Sequence, residues 1–95
     1  MAVVLSESAK TEVRYAAIYY EDEVQGLGKT FLSYVESSIE EIERFPLNSR
    51  VIGNDFRRFL VPRFPYGIIY RIDQDNIFVA AIMHLKRKPF YWEQK

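Results

Sequence analysis

The side chains best suited to chemistry are concentrated in residues 56–95. This stretch holds the only histidine, His84, the only tryptophan, Trp92, and most of the basic residues. Histidine can act as a general acid or base near neutral pH, and a group of lysines and arginines can attract an anionic partner. His84, Arg87 and the aromatic residues near them therefore form a candidate site for catalysis or recognition.

The charge of the chain is divided between its two halves. Residues 1–55 carry five basic and ten acidic side chains, whereas residues 56–95 carry eight basic and three acidic ones, so the halves have net charges of −5 and +5. A basic region of this size can bind nucleic acid or an acidic protein, or can attract the acidic half of its own chain. Because the whole chain is neutral, general binding to nucleic acid, which needs many phosphate contacts, is disfavoured.

Composition and motifs argue against several functional classes. With no cysteine and one histidine, we expect no thiol nucleophile, no metal and no cofactor. The close glycine pair, Gly26 and Gly28, lacks the residues that complete a phosphate-binding loop. No apolar run approaches the roughly 20 residues of a membrane helix, and the N-terminus does not have the features of a signal peptide. We therefore expect a cytoplasmic protein. A length of 95 residues suits a single domain, residues 1–95.

The first half of the chain predicts a short strand followed by two helices. Residues 3–5 are β-prone, and Ser6 or Ser8 after them could cap a helix. Apolar residues recur at helical spacing over residues 9–22 and again over residues 31–45. Glycines separate the two stripes, which predicts an antiparallel helical hairpin.

The second half predicts three strands that follow a loop over residues 47–55. Residues 56–61, 66–72 and 77–83 have the composition of strands, and residues 73–76 form a tight-turn sequence. The last two strands should pair as a hairpin at the centre of a sheet. The predicted fold class is α+β, with a helical hairpin packed on a small and mainly antiparallel sheet.

The last predicted strand is apolar on both of its sides. A strand without polar alternation is typical of a sheet that is covered on both faces, whereas a helical hairpin covers one face. The stretch from Phe78 to Ile82 therefore predicts a second covering layer over part of the sheet, which could be another protein chain.

Several sequence features follow one another in an order that is typical of one protein family. They are a Phe-x-x-x-Val helix that ends near a proline, an arginine-rich strand, Phe64-Pro65-Tyr66 before Ile69-Tyr70, an apolar strand ending in His84, and Arg87-x-Pro89-x-x-Trp92. From about Ser8 to Trp92, the chain resembles the RelE/ParE family of bacterial toxins from type II toxin–antitoxin systems. The order β-α-α-β-β-β is part of this resemblance.

The resemblance implies a toxin that is held inactive by a cognate antitoxin. The C-terminal segment of such an antitoxin folds as it wraps around the toxin, and its acidic side chains could pair with the basic half of this chain. The N-terminal part of the antitoxin commonly binds DNA, so we expect the toxin to contact DNA only indirectly. A homodimer and a hetero-oligomer with the antitoxin are both compatible with the resemblance, and no contact with a membrane is expected.

The family divides by target. RelE-like members cut messenger RNA on the ribosome, whereas ParE-like members inhibit DNA gyrase. In this chain Gly67 stands where the ribosome-dependent nucleases usually carry an arginine, and Arg71, about 13 Å along the strand, cannot substitute for it. This departure and the neutral overall charge favour the ParE-like branch and inhibition of gyrase.

Two alternatives to gyrase inhibition follow from the same resemblance. An inactive member would act only in complex formation and autoregulation. A ribosome-dependent messenger RNA endonuclease would use the positions that match, or lie near, the catalytic residues of the RelE-like branch. The catalytic candidates for that alternative are Arg58, His84, Arg87 and Tyr91.

The basic second half also supplies the candidates for binding the antitoxin or the target. Arg57 and Arg58 are adjacent in a strand, so they point to opposite faces and at most one of them joins a catalytic site. His84 could instead be structural, Trp92 could pack on the sheet, and residues 86–88 could be an ordinary exposed edge. The binding candidates are Arg57, Arg71, Lys86, Arg87, Lys88 and Trp92.

Overall fold

Along the chain, two helices follow the first strand and precede the other four strands. All five strands form one sheet. The computed structural model describes residues 1–87. The elements are β1 (Ala2–Leu5), α1 (Glu7–Glu23), α2 (Leu27–Arg44), β2 (Arg50–Gly53), β3 (Phe56–Leu60), β4 (Tyr66–Asp73) and β5 (Asn76–His84).

The sheet has the strand order β1-β5-β4-β3-β2. β1 runs parallel to β5, and the other neighbouring strands are antiparallel. β4 and β5 pair along their length, as the sequence predicts for a central hairpin. The expected α+β fold, with a helical hairpin on a mainly antiparallel sheet, is therefore confirmed.

The predicted loop over residues 47–55 is wrong in part, because it contains β2. This strand pairs with β3, with Val51 opposite Arg57. The chain turns between them through Asn54 and Asp55, whose φ angles are 52° and 65°. Positive φ at both central residues is typical of a tight hairpin turn whose twist suits antiparallel strands. A four-residue strand is too short to give a recognisable alternation, so the predicted order lacks one strand.

Ser6 attaches the beginning of α1 to the sheet. Its Oγ accepts a hydrogen bond from the backbone N–H of Ala9 at 3.0 Å and donates one to the carbonyl of Ala80 at 2.9 Å. A serine at this position caps the helix because it satisfies an N–H that has no partner within the helix. The cap and the contact with β5 together fix the position of α1 on the sheet.

The turn between the helices depends on Glu21 and two glycines. The Glu21 carboxylate accepts hydrogen bonds from the N–H groups of Gly26 and Gly28, at 2.8 and 3.0 Å. A Cβ at Gly28 would lie 2.4 Å from the carbonyl oxygen of Ala17, which no side chain can tolerate. The helices therefore approach each other closely at this point.

The main core lies between the helical hairpin and one side of the sheet, which we call the helix face. The side chains of Phe31, Ile68 and Tyr70 are fully buried there. The rings of Tyr20 and Phe31 lie 5.2 Å apart, in an arrangement that favours aromatic pairs. The Tyr70 hydroxyl donates a hydrogen bond to the carbonyl of Pro46 at 2.7 Å, so its burial leaves the hydroxyl satisfied.

A smaller cluster lies on the opposite side of the sheet, which we call the open face. An extra residue in β5, between the pairs Tyr70–Val79 and Ile69–Ala81, forms a β-bulge. The side chains of β5 are buried on both sides of the sheet, with Ile77, Val79 and Ile82 in the main core and Ala81 and Met83 in this smaller cluster. The buried members of the open-face cluster are Phe56, Ile69, Ala80, Ala81 and Met83.

Within residues 1–87, no helix combines the length and the apolar character needed to cross a lipid bilayer.

Candidate functional site

A cleft beside α1 brings together polar and aromatic side chains from both ends of the chain. The cleft, which we call the His84 cleft, has a volume of about 270 Å³ and opens between α1, the beginning of β4 and the end of β5. Its polar and aromatic lining consists of Glu12, Tyr15, Tyr19, Tyr66, His84 and Arg87.

His84 is fixed by a hydrogen bond and an aromatic contact. Its Nδ1 accepts a hydrogen bond from the backbone N–H of Lys86 at 3.1 Å, and its ring lies 5.2 Å from the ring of Tyr66. Because Nδ1 is an acceptor here, the neutral ring carries its proton on Nε2. A general base needs a free lone pair on the nitrogen that faces the substrate. In this tautomer Nε2 is a hydrogen-bond donor and carries no free lone pair.

Glu12 connects α1 to β5 and to the chain that follows β5. Its Oε1 accepts a hydrogen bond from the backbone N–H of Ile82 at 3.0 Å, and its Oε2 lies 3.4 Å from Nη1 of Arg87. β1 pairs with β5 only as far as Val79, so the N–H of Ile82 lies beyond the end of β1. Glu12 therefore satisfies an edge N–H of the sheet and pairs with a candidate catalytic arginine at the same time.

Two partly buried tyrosines that pack against the core, Tyr66 and Tyr20, resist ionisation. Burial raises the pKa of Tyr66, and negative charge on Tyr20, Tyr19 and Glu12 raises it further. Burial, followed by the proximity of Tyr19, also raises the pKa of Tyr20. A phenol with a raised pKa is uncharged at neutral pH, so Tyr66 can donate a hydrogen bond there but does not act as a base.

Arg58 lies on the opposite side of the sheet from the His84 cleft. Tyr66 and Gly67 are adjacent in β4, so their side-chain directions are opposite. Tyr66 contacts His84, whereas a Cβ at Gly67 would lie 3.1 Å from Cγ and 3.2 Å from Cδ of Arg58. The space left by the glycine is thus occupied by the stem of Arg58. The sheet separates Arg58 from His84.

Arg57 makes its contacts on the helix face, as expected for the neighbour of Arg58. Its Nη1 donates hydrogen bonds to the carbonyls of Leu47 at 3.2 Å and Ser49 at 2.8 Å. These bonds hold the connection between α2 and β2. The guanidinium group is therefore bound to backbone carbonyls of its own chain.

Arg71 covers part of the open face. Its guanidinium carbon lies 5.6 Å from the ring centroid of Phe56 and 5.2 Å from that of Phe78, within the range of cation–π contacts. The distance from its Nη2 to Oδ2 of Asp73 is 3.9 Å, and both side chains are partly exposed. Arg71 is therefore a cation held over an aromatic surface at the far end of β4 from the His84 cleft.

The other candidates lie near the end of β5 or beyond the described residues. Lys86 is exposed. Lys88, Tyr91 and Trp92 lie outside the described residues. Within residues 1–87, no group of three histidine, aspartate or glutamate side chains is placed to hold a metal ion.

The sequence as a whole matches a known protein family. A family model described as the ParE toxin of type II toxin–antitoxin systems, parDE, matches residues 3–89. The chain belongs to the ParE toxin family. The resemblance drawn from the sequence is thereby confirmed, on the ParE side of the RelE/ParE family.

The fold of this ParE toxin is also found in a solved structure. A chain of the structure titled "Chromosomal ParDE TA system from P. aeruginosa" matches with a TM-score of 0.66 and 16% sequence identity, over 88% of this chain and 95% of that one. At this identity the match shows a shared fold. A search of curated proteins finds no match.

Sequence analysis of this ParE toxin missed the contribution of α1 to the His84 cleft. Glu12, Tyr15 and Tyr19 all come from α1, which was predicted only as a packing helix. One signal was present in the sequence, because Glu12 follows Ala9 by three residues and precedes Ala16 by four. These spacings place an acidic side chain beside a buried apolar stripe. Such a carboxylate needs a partner, and the structure supplies two.

Proposed function

We propose that this ParE-family chain inhibits DNA gyrase when it is free and is neutralised by a cognate antitoxin. The family match supports a toxin of a type II system. The observation that favours gyrase inhibition over cleavage of messenger RNA on the ribosome is the separation of Arg58 from His84 by the sheet. Cleavage through a 2′-hydroxyl needs a base, an acid and a cation around one phosphate. Candidates on opposite sides of a sheet cannot surround one phosphate.

The state of the His84 cleft supports the same proposal. The Nδ1 atom of His84 is occupied by the N–H of Lys86, and Arg87 is paired with Glu12. Both interactions restrain these side chains, which supports a role in contacting a partner surface. The toxin then acts by binding its target, which requires a shaped surface but no catalytic centre.

The antitoxin is expected to engage the basic second half of the toxin. Arg71 and Lys86 are at least partly exposed, and Arg87 is 54% exposed while it contacts Glu12. Acidic side chains of an antitoxin that folds on binding would pair with these cations. In this proposal the complex forms in the cytoplasm and contacts DNA only through the antitoxin.

Two assays with purified toxin distinguish the possible targets. The first follows supercoiling of relaxed plasmid by gyrase, and the second maps cuts in messenger RNA during cell-free translation. We expect loss of supercoiling and intact transcripts. Transcripts cut at the ribosome with normal supercoiling would overturn the gyrase proposal in favour of a ribosome-dependent nuclease. Normal results in both assays would overturn it in favour of an inactive, interacting member.

His84→Asn provides a matched variant for these assays. The amide oxygen of asparagine can accept the hydrogen bond from Lys86 in place of Nδ1, but an amide cannot act as an acid or base. We expect the variant to fold and to inhibit gyrase as strongly as the unmodified chain. A folded variant that no longer inhibits growth would contradict the proposal that the toxin acts without proton transfer at this residue.

A further inference from the structure

Exposed side chains form a stripe along the outer side of α1, which we call the α1 stripe. Its members follow one another at intervals of four, three and four residues, and this spacing places them on one side of a helix. The stripe spans about 16 Å, or roughly three helical turns. Its members are Thr11, Tyr15, Ile18 and Asp22, and all of them are exposed.

The apolar part of the α1 stripe has no role in the core of the toxin. Ala9 and Ala16, which α1 contributes to the main core, are buried. Tyr15 and Ile18 nevertheless remain 69% and 52% exposed. The outer side of a helix that packs on one sheet is normally polar. Adjacent large apolar side chains on that side are typical of a surface that binds another protein.

Opposite charges mark the two ends of the α1 stripe. Arg14 lies beside its N-terminal half, and Asp22 is its last member, about 12 Å further along the helix. In the part of the chain that the structure describes, neither side chain takes part in an ion pair. Both are exposed, so each can reach a charge on another molecule. A partner that satisfies both must carry an acidic group at one end and a basic group at the other.

These charges are self-complementary when two copies of α1 lie antiparallel. A two-fold axis near the middle of the stripe brings Tyr15 of each copy against Ile18 of the other. The same axis places Thr11 and Arg14 of each copy near Asp22 of the other, whose carboxylate can accept hydrogen bonds from the hydroxyl and the guanidinium. Antiparallel alignment also sets the positive end of each helix dipole beside the negative end of the other. Parallel alignment would instead place each charge beside its own kind.

We propose that the α1 stripe is the interface of a symmetric homodimer of this chain. Tyr19 and Leu32, at 58% and 43% exposure, enlarge the apolar contact on the two flanks of the stripe. Leu32 lines one groove together with Ile18. Stable dimers bury about 800 Å² on each partner, and one side of a helix with two flanking residues supplies less than that. We therefore expect a dissociation constant in the micromolar range, about 1–100 μM.

Sedimentation equilibrium of the purified free toxin, from about 1 μM to about 1 mM, tests the homodimer. We expect a reversible equilibrium between monomer and dimer. In Ile18→Glu, a carboxylate enters the apolar contact in both copies, and the dissociation constant should rise about tenfold or more. Leu47→Glu is the matched control, because Leu47 is also an exposed apolar residue, at 67% exposure, but lies beyond the end of α2. It should leave the dissociation constant unchanged.

Exchange of the two charges tests the antiparallel arrangement. Arg14→Asp and Asp22→Arg each turn two attractive pairs into repulsive ones, so we expect each single variant to dimerise about fivefold or more weakly. The double variant restores opposite charges across the interface and should recover most of the affinity. Added salt should narrow the differences between these proteins, because the charges are exposed. A double variant that dimerises as weakly as the weaker single variant would overturn the proposed interface.

The remaining outcomes are equally decisive. A free toxin that stays monomeric up to about 1 mM would overturn the proposal. So would a dimer whose dissociation constant is unchanged by Ile18→Glu and by both charge variants, because its interface would lie elsewhere. Circular dichroism and thermal unfolding of each variant verify that loss of the dimer is not loss of the fold. Failure of the toxin to inhibit gyrase would leave the homodimer standing, since the interface is inferred from α1 alone and not from the target.

Discussion

The two sides of the sheet are completed in different ways. On the helix face, polar groups have fixed partners, as when the Tyr70 hydroxyl donates to Pro46 and Glu12 accepts from the N–H of Ile82. On the open face, a small apolar cluster is crossed by two arginine side chains, with Arg58 along Gly67 and Arg71 over two aromatic rings. The helix face therefore has a structural role, whereas the open face presents two arginine side chains over an apolar surface.

The neighbours Ile68 and Ile69 measure how strongly each side contributes to stability. Both side chains are fully buried, but Ile68 belongs to the helix-face core and Ile69 to the smaller open-face cluster. Replacing isoleucine by alanine in a core costs about 2–5 kcal/mol, depending on how the cavity can collapse. We expect Ile68→Ala to lie near the upper end of that range and Ile69→Ala near the lower end, as measured by denaturant unfolding. Equal losses would remove the energetic distinction between the two sides.

Glu12 tests whether the polar contacts of the helix face hold α1 in place. Glu12→Ala leaves the N–H of Ile82 without its side-chain acceptor, and we expect a loss of about 1–3 kcal/mol in the free energy of unfolding. Glu7→Ala is the control, because Glu7 is 91% exposed and its pair with Lys10 contributes little. Hydrogen exchange at Ile82 should speed up in the Glu12 variant and remain unchanged in the control. Unchanged exchange in both would show that this carboxylate does not protect the edge of β5.

The sequence predicted those elements of the fold that a periodic pattern of apolar residues specifies. The apolar stripes of α1 and α2 and the turn before β5 gave the helical hairpin and the central strands, because local spacing specifies them. β2 was missed, since a four-residue strand between turn residues is defined by its pairing with β3. Sheet order and the parallel position of β1 also depend on contacts between distant residues.

The candidate site was predicted only in part for the same reason. His84 and Arg87 were recognised by residue type, and the opposite directions of Arg57 and Arg58 follow from strand geometry. The partnership of Arg87 with Glu12 joins residues that are 75 positions apart. The contact between the Arg58 side chain and Gly67 exists because the two residues lie diagonally opposite each other in the paired strands β3 and β4. Neither contact can be derived from spacing along the chain.

Substitutions at Gly67 and Arg58 test whether the Arg58 side chain needs the space that Gly67 leaves on the open face. A Cβ at Gly67 would contact the Arg58 stem at 3.1 Å, which opposes the gain of about 0.5–1 kcal/mol that alanine normally brings to a strand. We expect Gly67→Ala to be close to neutral alone and to be stabilising in an Arg58→Ala background. A double-mutant cycle by thermal or denaturant unfolding should therefore give a coupling energy of about 0.5–1 kcal/mol. Additive effects would mean that the stem moves aside without cost.

The smallest expected difference between the two sides of the sheet is in their contribution to stability at alkaline pH. The tyrosines with raised pKa values are on the helix face. A pKa that is higher in the folded state than in the unfolded one means that folding favours the protonated phenol. The stability contributed by Tyr66 is thus present below its unfolded pKa, near 10, and is lost as pH rises through the higher folded value. Tyr66→Phe should make the alkaline fall in unfolding free energy shallower, and Tyr15→Phe controls for removal of a phenol. Glu12→Gln should reduce the effect only slightly, because burial is the main cause of the shift and the charge of Glu12 is a minor one. An alkaline limb that is the same with and without Tyr66 would assign the loss of stability to other groups.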